Sequence, residues 1–189
     1  TEQWSAEKDP NVTLDESIAA VALRPGEEKI GFRFPDLDSN MVSLTDKRFL
    51  NKVVVIQIMG SWCPNCMDET AFLSEYYKKN KGRGVEMISL AYEYTTDFQR
   101  ARKSILKFQQ KYAVDYPMLI TGVSSVDSLK TEKTLPQITP IKAFPSTIFI
   151  GKDGKVKKFH TGFYGPGAGG YYEEFKREFE ETVSELLKE

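Results

Sequence analysis

The sequence predicts an α/β fold built around a parallel strand pair, and three observations predict it. The run Val53-Val54-Val55-Ile56 is purely apolar and continues to Met59 broken only by Gln57, the pattern of a central strand buried on both faces. The next stretch, 65–79, carries Met67, Phe72, Leu73, Tyr76 and Tyr77 at helical spacing, one buried stripe. A second apolar strand, 85–91, follows a break at 80–84. Strand, helix and strand then make one right-handed βαβ unit.

The other elements fall in order around that unit. Residues 1–29 are polar and broken at Asp9-Pro10-Asn11 and Arg24-Pro25-Gly26, so they read as a tail or linker. A short helix is expected there from Thr13 to Ala22. From Ile30, Phe32 and Phe34 alternate with Gly31 and Arg33, and a turn at 35–40 leads to Met41-Val42-Ser43-Leu44, a small hairpin. Thr45-Asp46 starts a short helical turn. Thr95-Thr96-Asp97 cap a helix reaching Tyr112, with Phe98, Ala101, Ile105 and Phe108 on one face. Tyr116 to Ile120 is a short strand, and a short helix is expected at 128–135. Ser146 to Ile150 and 155–161 flank the turn Gly151-Lys152-Asp153-Gly154 as a hairpin. A Gly-rich loop, 162–170, leads to a closing amphipathic helix at 171–188, with Tyr172, Phe175, Phe179, Val183, Leu186 and Leu187 inward. The expected division is a tail over 1–29 and one domain over 30–189.

Composition narrows the function classes. The chain has 189 residues, 40% of them hydrophobic, enough for one ordinary core. Its formal net charge is −1 with both signs interspersed, which does not suggest nucleic acid. No run approaches the ~18 apolar residues that a membrane span needs. The chain starts without Met and without an apolar leader, as a processed or truncated product would. Any membrane contact is then expected through a segment missing from this chain.

Two cysteines, the only two, sit in Trp62-Cys63-Pro64-Asn65-Cys66, after the buried strand and at the start of a helix. That placement is a redox dithiol signature. Free backbone N–H groups and the positive end of the helix dipole stabilise a thiolate at the first Cys. The second lies one turn inside, where it can attack a mixed disulfide. A structural zinc site needs about four N/S ligands, and Cys63, Cys66 and the single His160 supply three at most. A triad hydrolase would have to use His160 as its base. Beside Lys158 and Phe159, it reads instead as a residue of a late strand.

Two segments carry a resemblance. One is Val53 through Cys66; the other is Ala143-Phe144-Pro145-Ser146-Thr147-Ile148-Phe149-Ile150 with the turn after it. Together they resemble the thioredoxin superfamily. The preceding hairpin and the extra helix and strand between the motifs resemble its TlpA-like redoxin branch. The resemblance covers Ile30 to the C-terminus. It implies a thioredoxin-like fold: a mixed central sheet, helices on both faces, an N-terminal β-hairpin and a central αβ insert. It implies Cys63 as attacking thiol and Cys66 as resolving thiol. Trp62 would form a wall beside the disulfide. Pro145 would be a cis-proline facing the dithiol, with Pro64 and the backbone of Phe144 among the substrate contacts. An X-Pro bond is the common route to a cis peptide, and a free backbone there can pair with an extended substrate.

The resemblance also implies the function: a thiol–disulfide oxidoreductase, more as reductase than oxidant. It would act on protein thiol and disulfide substrates with an unnamed redox partner. A redox-active disulfide stands in place of any cofactor, and no metal is expected. A bacterial periplasm or cell envelope is the implied compartment, although a dithiol is compatible with the cytosol. The chain departs from thioredoxin where a buried Asp is replaced by Gln57, which cannot accept a proton. Glu93, at the end of the next strand, is the candidate acid/base; the alternative is a solvated loop carboxylate. Phe163 and Tyr164 are either substrate contacts or the lip of the core. Two other functions remain to be separated. A binding or assembly module would tolerate Cys63→Ser. A thiol peroxidase would be expected to show Thr, two residues, then Cys after a Pro, where this chain has Gly60-Ser61-Trp62 before Cys63.

Overall fold

The computed structural model describes residues 20–189. A two-stranded ribbon pairs β1 (Arg33–Pro35) with β2 (Met41–Ser43), antiparallel. The central sheet holds β3 (Val53–Met59), β4 (Val85–Ala91), β5 (Met118–Ile120), β6 (Ser146–Ile150) and β7 (Val156–Thr161), in the order β5-β4-β3-β6-β7. β3, β4 and β5 are parallel; β6 runs antiparallel to β3, and β7 antiparallel to β6. Among the described residues the α-helices are α1 (Pro64–Asn80), α2 (Phe98–Tyr112), α3 (Lys130–Thr134) and α4 (Gly170–Lys188). The mixed sheet, the hairpin and the α2–β5 insert between β4 and α3 are those expected.

β3 is buried at all seven positions, because both of its faces are covered. Val53, Val55 and Met59 join one core with α1, α2 and α4. Val54, Ile56 and Ile58 join a second core on the other face, with Phe32, Phe49, Leu135, Ile138 and Ile141. The side-chain period of two separates these sets. It also puts Gln57 on the α1 side, where it is buried. Helices therefore lie on both faces: three long ones on one side, and short α3 on the other beside the chain's first described residues.

Those first residues differ from the tail expected over 1–29. Val21 is buried in the second core, and Val21 N–H donates to Thr161 Oγ1 at 3.2 Å. Leu23 bridges Ile138, and Val156 N–H donates to Glu28 O at 2.9 Å. Val21, Leu23 and Ile30 are split by the Arg24-Pro25-Gly26 break and show no clear period, yet they cover the open face of β6 and β7. The helix expected from Thr13 lies mostly outside the described residues; Ala22, its last residue, is not helical. At Thr45-Asp46 the chain turns as expected, with Asp46 N–H donating to Ser43 O and Phe49 N–H to Asp46 O. Met67 and Phe72, expected in the buried stripe of α1, are only half-buried. That face instead buries Glu69, Thr70 and Ser74.

Candidate active site

The dithiol sits where β3 ends and α1 begins. Cys63 is the N-cap of α1, with φ −94° and ψ 117°, and Pro64 opens the helix. An N-cap side chain reaches back over the first turn, where N–H groups have no helical partner. Cys63 Sγ does so, accepting from Cys66 N–H at 3.3 Å. Proline at the first helical position removes an N–H that would be unpaired there in any case. Pro64 and Asn65 are exposed, Cys63 keeps 6% of its surface, and Cys66 keeps none.

The two thiols are pushed in opposite directions. The Cys66 thiol donating to Cys63 Sγ, with the N–H groups of Cys66 and Asn65, holds the Cys63 pKa at about 7 against the opposing effect of burial. Burial pushes Cys66 far up, and its donation to Cys63 adds to this. As a thiol, Cys63 also donates to Phe144 O at 3.6 Å.

The walls are aromatic. Trp62 packs on Tyr94 with ring centroids 4.8 Å apart and meets Phe144 edge-on at 5.5 Å. Its indole N–H donates to Tyr92 O at 2.9 Å. Gly60 makes room for that ring: a Cβ there would lie 2.3 Å from Trp62 Nε1. The Phe144–Pro145 peptide bond is cis, Pro145 is buried, and Pro145 O accepts from Gly162 N–H at 2.9 Å. The topology thus brings Trp62, Cys63 and Phe144 together, with Cys66 and Pro145 beside them.

Glu93 is buried but serves a different neighbour. Ser61 N–H donates to one of its oxygens at 2.8 Å and Ser61 Oγ–H to the other at 2.7 Å. It is therefore not a solvated loop residue, and it pins the turn that leads into Cys63.

The acid that sequence reasoning missed is Glu69, three residues after Cys66 and so on the same face of α1. It is fully buried. Thr147 Oγ–H donates to one oxygen at 2.7 Å and the Gln57 amide to the other at 2.8 Å. Thr70 and Ser89 hydroxyls donate to the Gln57 carbonyl at 3.1 and 3.0 Å, which orients the amide N–H toward Glu69. Burial raises the Glu69 pKa to about 7, opposed by the donors Thr147 and Gln57 and assisted by the Cys63 charge. The available signal was an acid one turn beyond the second Cys, inside the predicted buried stripe. Counting only apolar residues passed over it.

The other residues singled out lie at the margin. Phe163 is buried against Phe175 and Tyr172, as part of the core. Tyr164 is half exposed and packs on Tyr171. His160 lies in β7 with its ring against Phe175. Among the described residues, no group of three or more His, Cys, Asp or Glu side chains is placed to hold a metal ion.

The Redoxin family profile matches residues 10–168. A thiol-disulfide oxidoreductase ResA of Halalkalibacterium halodurans is 26% identical over 174 residues, covering 92% of this chain and 82% of its own. A thiol-disulfide oxidoreductase ResA of Bacillus thuringiensis subsp. konkukian is 30% identical over 131 residues, covering 69% of this chain and 66% of its own. Among solved structures, that of a putative thiol:disulfide interchange protein DsbE from Chlorobium tepidum superposes with a TM-score of 0.64. It covers 88% of this chain and 99% of its own at 20% identity, a likeness of fold.

Proposed function

Because the chain belongs to the redoxin family, we infer that its dithiol exchanges disulfides with protein substrates, Cys63 attacking and Cys66 resolving. The protein is a thiol–disulfide oxidoreductase. The observation that carries the division of roles is the opposed pair of thiols: one at the helix N-terminus with its anion favoured near neutral pH, the other sealed beneath it.

In the reductive direction the Cys63 thiolate attacks one sulfur of a substrate disulfide. A Cys63–substrate bond forms, the substrate S–S bond breaks, and one substrate thiolate leaves. Cys66 then loses its proton and attacks Cys63 Sγ, releasing the second substrate thiolate and forming the Cys63–Cys66 disulfide. Two electrons have passed to the substrate. The proton acceptor is Glu69, on the face of α1 that carries Cys66, with a pKa of about 7. A base whose pKa lies near the working pH is best matched to this transfer. Glu93 holds Ser61, and through it the turn before Cys63. Trp62 and the Phe144 carbonyl bound the sulfur, with Pro64 and Pro145 flanking the approach.

The reductive direction is favoured by the modest depression of Cys63. A dithiol whose thiolate is held very strongly is an oxidant, because its reduced form is stabilised. Thiols with pKa about 7 accompany potentials near −270 mV, against about −120 mV where the pKa is about 3.5. No external cofactor enters. A second, unidentified redox partner must return the two electrons. The resemblance to the TlpA-like branch supports a bacterial periplasm or cell envelope as the compartment.

The test is trapping. Cys66→Ser should accumulate a mixed disulfide between Cys63 and a disulfide-bonded peptide, visible as a mass adduct. Cys63→Ser should form no adduct and reduce nothing. A Cys63→Ser variant that keeps the protein's role without any exchange would leave the fold as a binding module.

A further inference from the structure

The helix α2 carries Arg100, Arg102, Lys103, Lys107 and Lys111 and no Asp or Glu, in a chain whose formal net charge is −1. Arg102 is engaged by Leu37 O and lies near Asp38. The other four are spaced at 3, 4 and 4 residues, so they form one exposed row. Exposed cations elsewhere on the molecule are commonly paired, as in Lys79–Glu75, Lys81–Asp115 and Lys157–Glu189. None of Arg100, Lys103, Lys107 and Lys111 makes an ion pair with a described residue. The nearest helix acid, Asp97, spends its carboxylate on the cap, accepting from Arg100 N–H at 2.8 Å.

This row edges the dithiol. Two adjoining clefts meet at Ser61 and Ser104, one running to Trp62 and Tyr94, the other to Met67 and Lys111. Ser61 and Trp62 directly precede the attacking cysteine. The sole carboxylate among the residues lining either cleft is Glu93, buried and occupied by Ser61. At the cleft's end stands Tyr94, 60% exposed and packed on Trp62. The result is a groove with unneutralised positive charge along one bank and an aromatic platform at the site of chemistry.

Resting on the oxidoreductase reading, we propose that this groove docks an acidic segment of the protein whose disulfide Cys63 attacks. Carboxylates flanking the substrate cysteine lie along α2, and the residue beside its sulfur packs on the Trp62–Tyr94 platform. Charge complementarity of this kind acts mainly on encounter rate and choice of partner, and salt weakens it. A concave groove that ends beside a nucleophile suits a polypeptide chain. An anionic membrane would face the same cations but would not need the platform or the groove.

The test uses the reduced protein and three synthetic disulfide peptides of equal length, with acidic, neutral or basic flanks. The acidic peptide should show kcat/KM higher than the neutral one by about tenfold at low salt, within the range of electrostatic steering. The preference should vanish in about 1 M salt, where screening acts beyond roughly 3 Å. It should also vanish in the Lys103→Glu/Lys107→Glu variant, and persist in a Lys47→Glu/Lys78→Glu variant of equal charge whose changes lie away from the groove. Equal rates for the three peptides would overturn the proposal, as would a preference that survives the first variant. Binding of the parent to phosphatidylglycerol vesicles, lost in the first variant and unaccompanied by any peptide preference, would overturn it in favour of a membrane. Exchange of the parent with neutral hydroxyethyl disulfide reports the dithiol alone. Its failure would unseat the oxidoreductase reading rather than the docking.

Discussion

The Gln57 amide donates to Glu69 at 2.8 Å across the interface between β3 and α1, and among the described residues no cation pairs with Glu69. The carboxylate is held by an amide and a threonine hydroxyl, so it can change protonation without breaking an ion pair. Gln57 cannot itself take a proton, but with its carbonyl occupied by Thr70 and Ser89 it can present only N–H to Glu69. The acid stands on the helix, and the strand residue supports it.

Removing the acid should affect the second chemical step most. In Glu69→Gln, formation of the mixed disulfide with a peptide should stay close to the parent rate, while its resolution slows by about 10²-fold, the usual contribution of a positioned base. Quenched-flow mass spectrometry separates the two steps. Equal slowing of both would argue against this role.

The same residue should set a slope in stability. Its folded pKa of about 7 lies above the ordinary 4.5. Between these values the folded chain holds a proton that the unfolded chain has lost, so stability falls as pH rises through the window. The loss is on the order of 3 kcal/mol at about 1.4 kcal/mol per unit. Urea titrations of reduced protein at several pH values should show this fall, and Glu69→Gln should flatten it.

Gln57→Leu should cost stability and shift the pH–rate profile together. It strips one donor from Glu69 and leaves the buried Thr70 and Ser89 hydroxyls without their acceptor, at about 1–3 kcal/mol for each unsatisfied group. With one donor gone, the Glu69 pKa should rise further, moving the resolution limb to higher pH. A destabilised variant whose pH profile overlays the parent's would reduce Gln57 to a packing role.

Glu93→Gln should cost stability without shifting the pH–rate profile. Ser61 N–H and Oγ–H both need acceptors, and the amide offers only one carbonyl oxygen. Stability should drop by about 1–3 kcal/mol, while the pH–rate curve keeps its shape. A shifted curve would restore the acid/base role first expected of this residue.

Alkylation of reduced protein should label Cys63 with a midpoint at about pH 7, below the ~8.5 of a free thiol. Cys66 should remain unlabelled until the chain unfolds. Labelling of Cys66 first would reverse the assignment of attacker and resolver.

The frame is written in local pattern. Val53 to Met59 is apolar at every position but Gln57, so both faces of that strand had to be covered, and its cores, parallel neighbour and following helix could be read in one dimension. Cys63 and Cys66 were legible for the same reason, since helix N-terminal chemistry is local. The first described residues and Glu69 were not. Val21 and Ile30 stand on either side of a breaker and show no clear period, and only the uncovered face of β6 and β7, assembled from residues more than a hundred positions later, makes a place for them. Glu69 reads as a charged residue on a helix until β3 and β6 bring Gln57 and Thr147 onto its two oxygens. Periodicity reports which residues avoid water. Which polar residue is buried with them depends on partners that only the folded chain supplies.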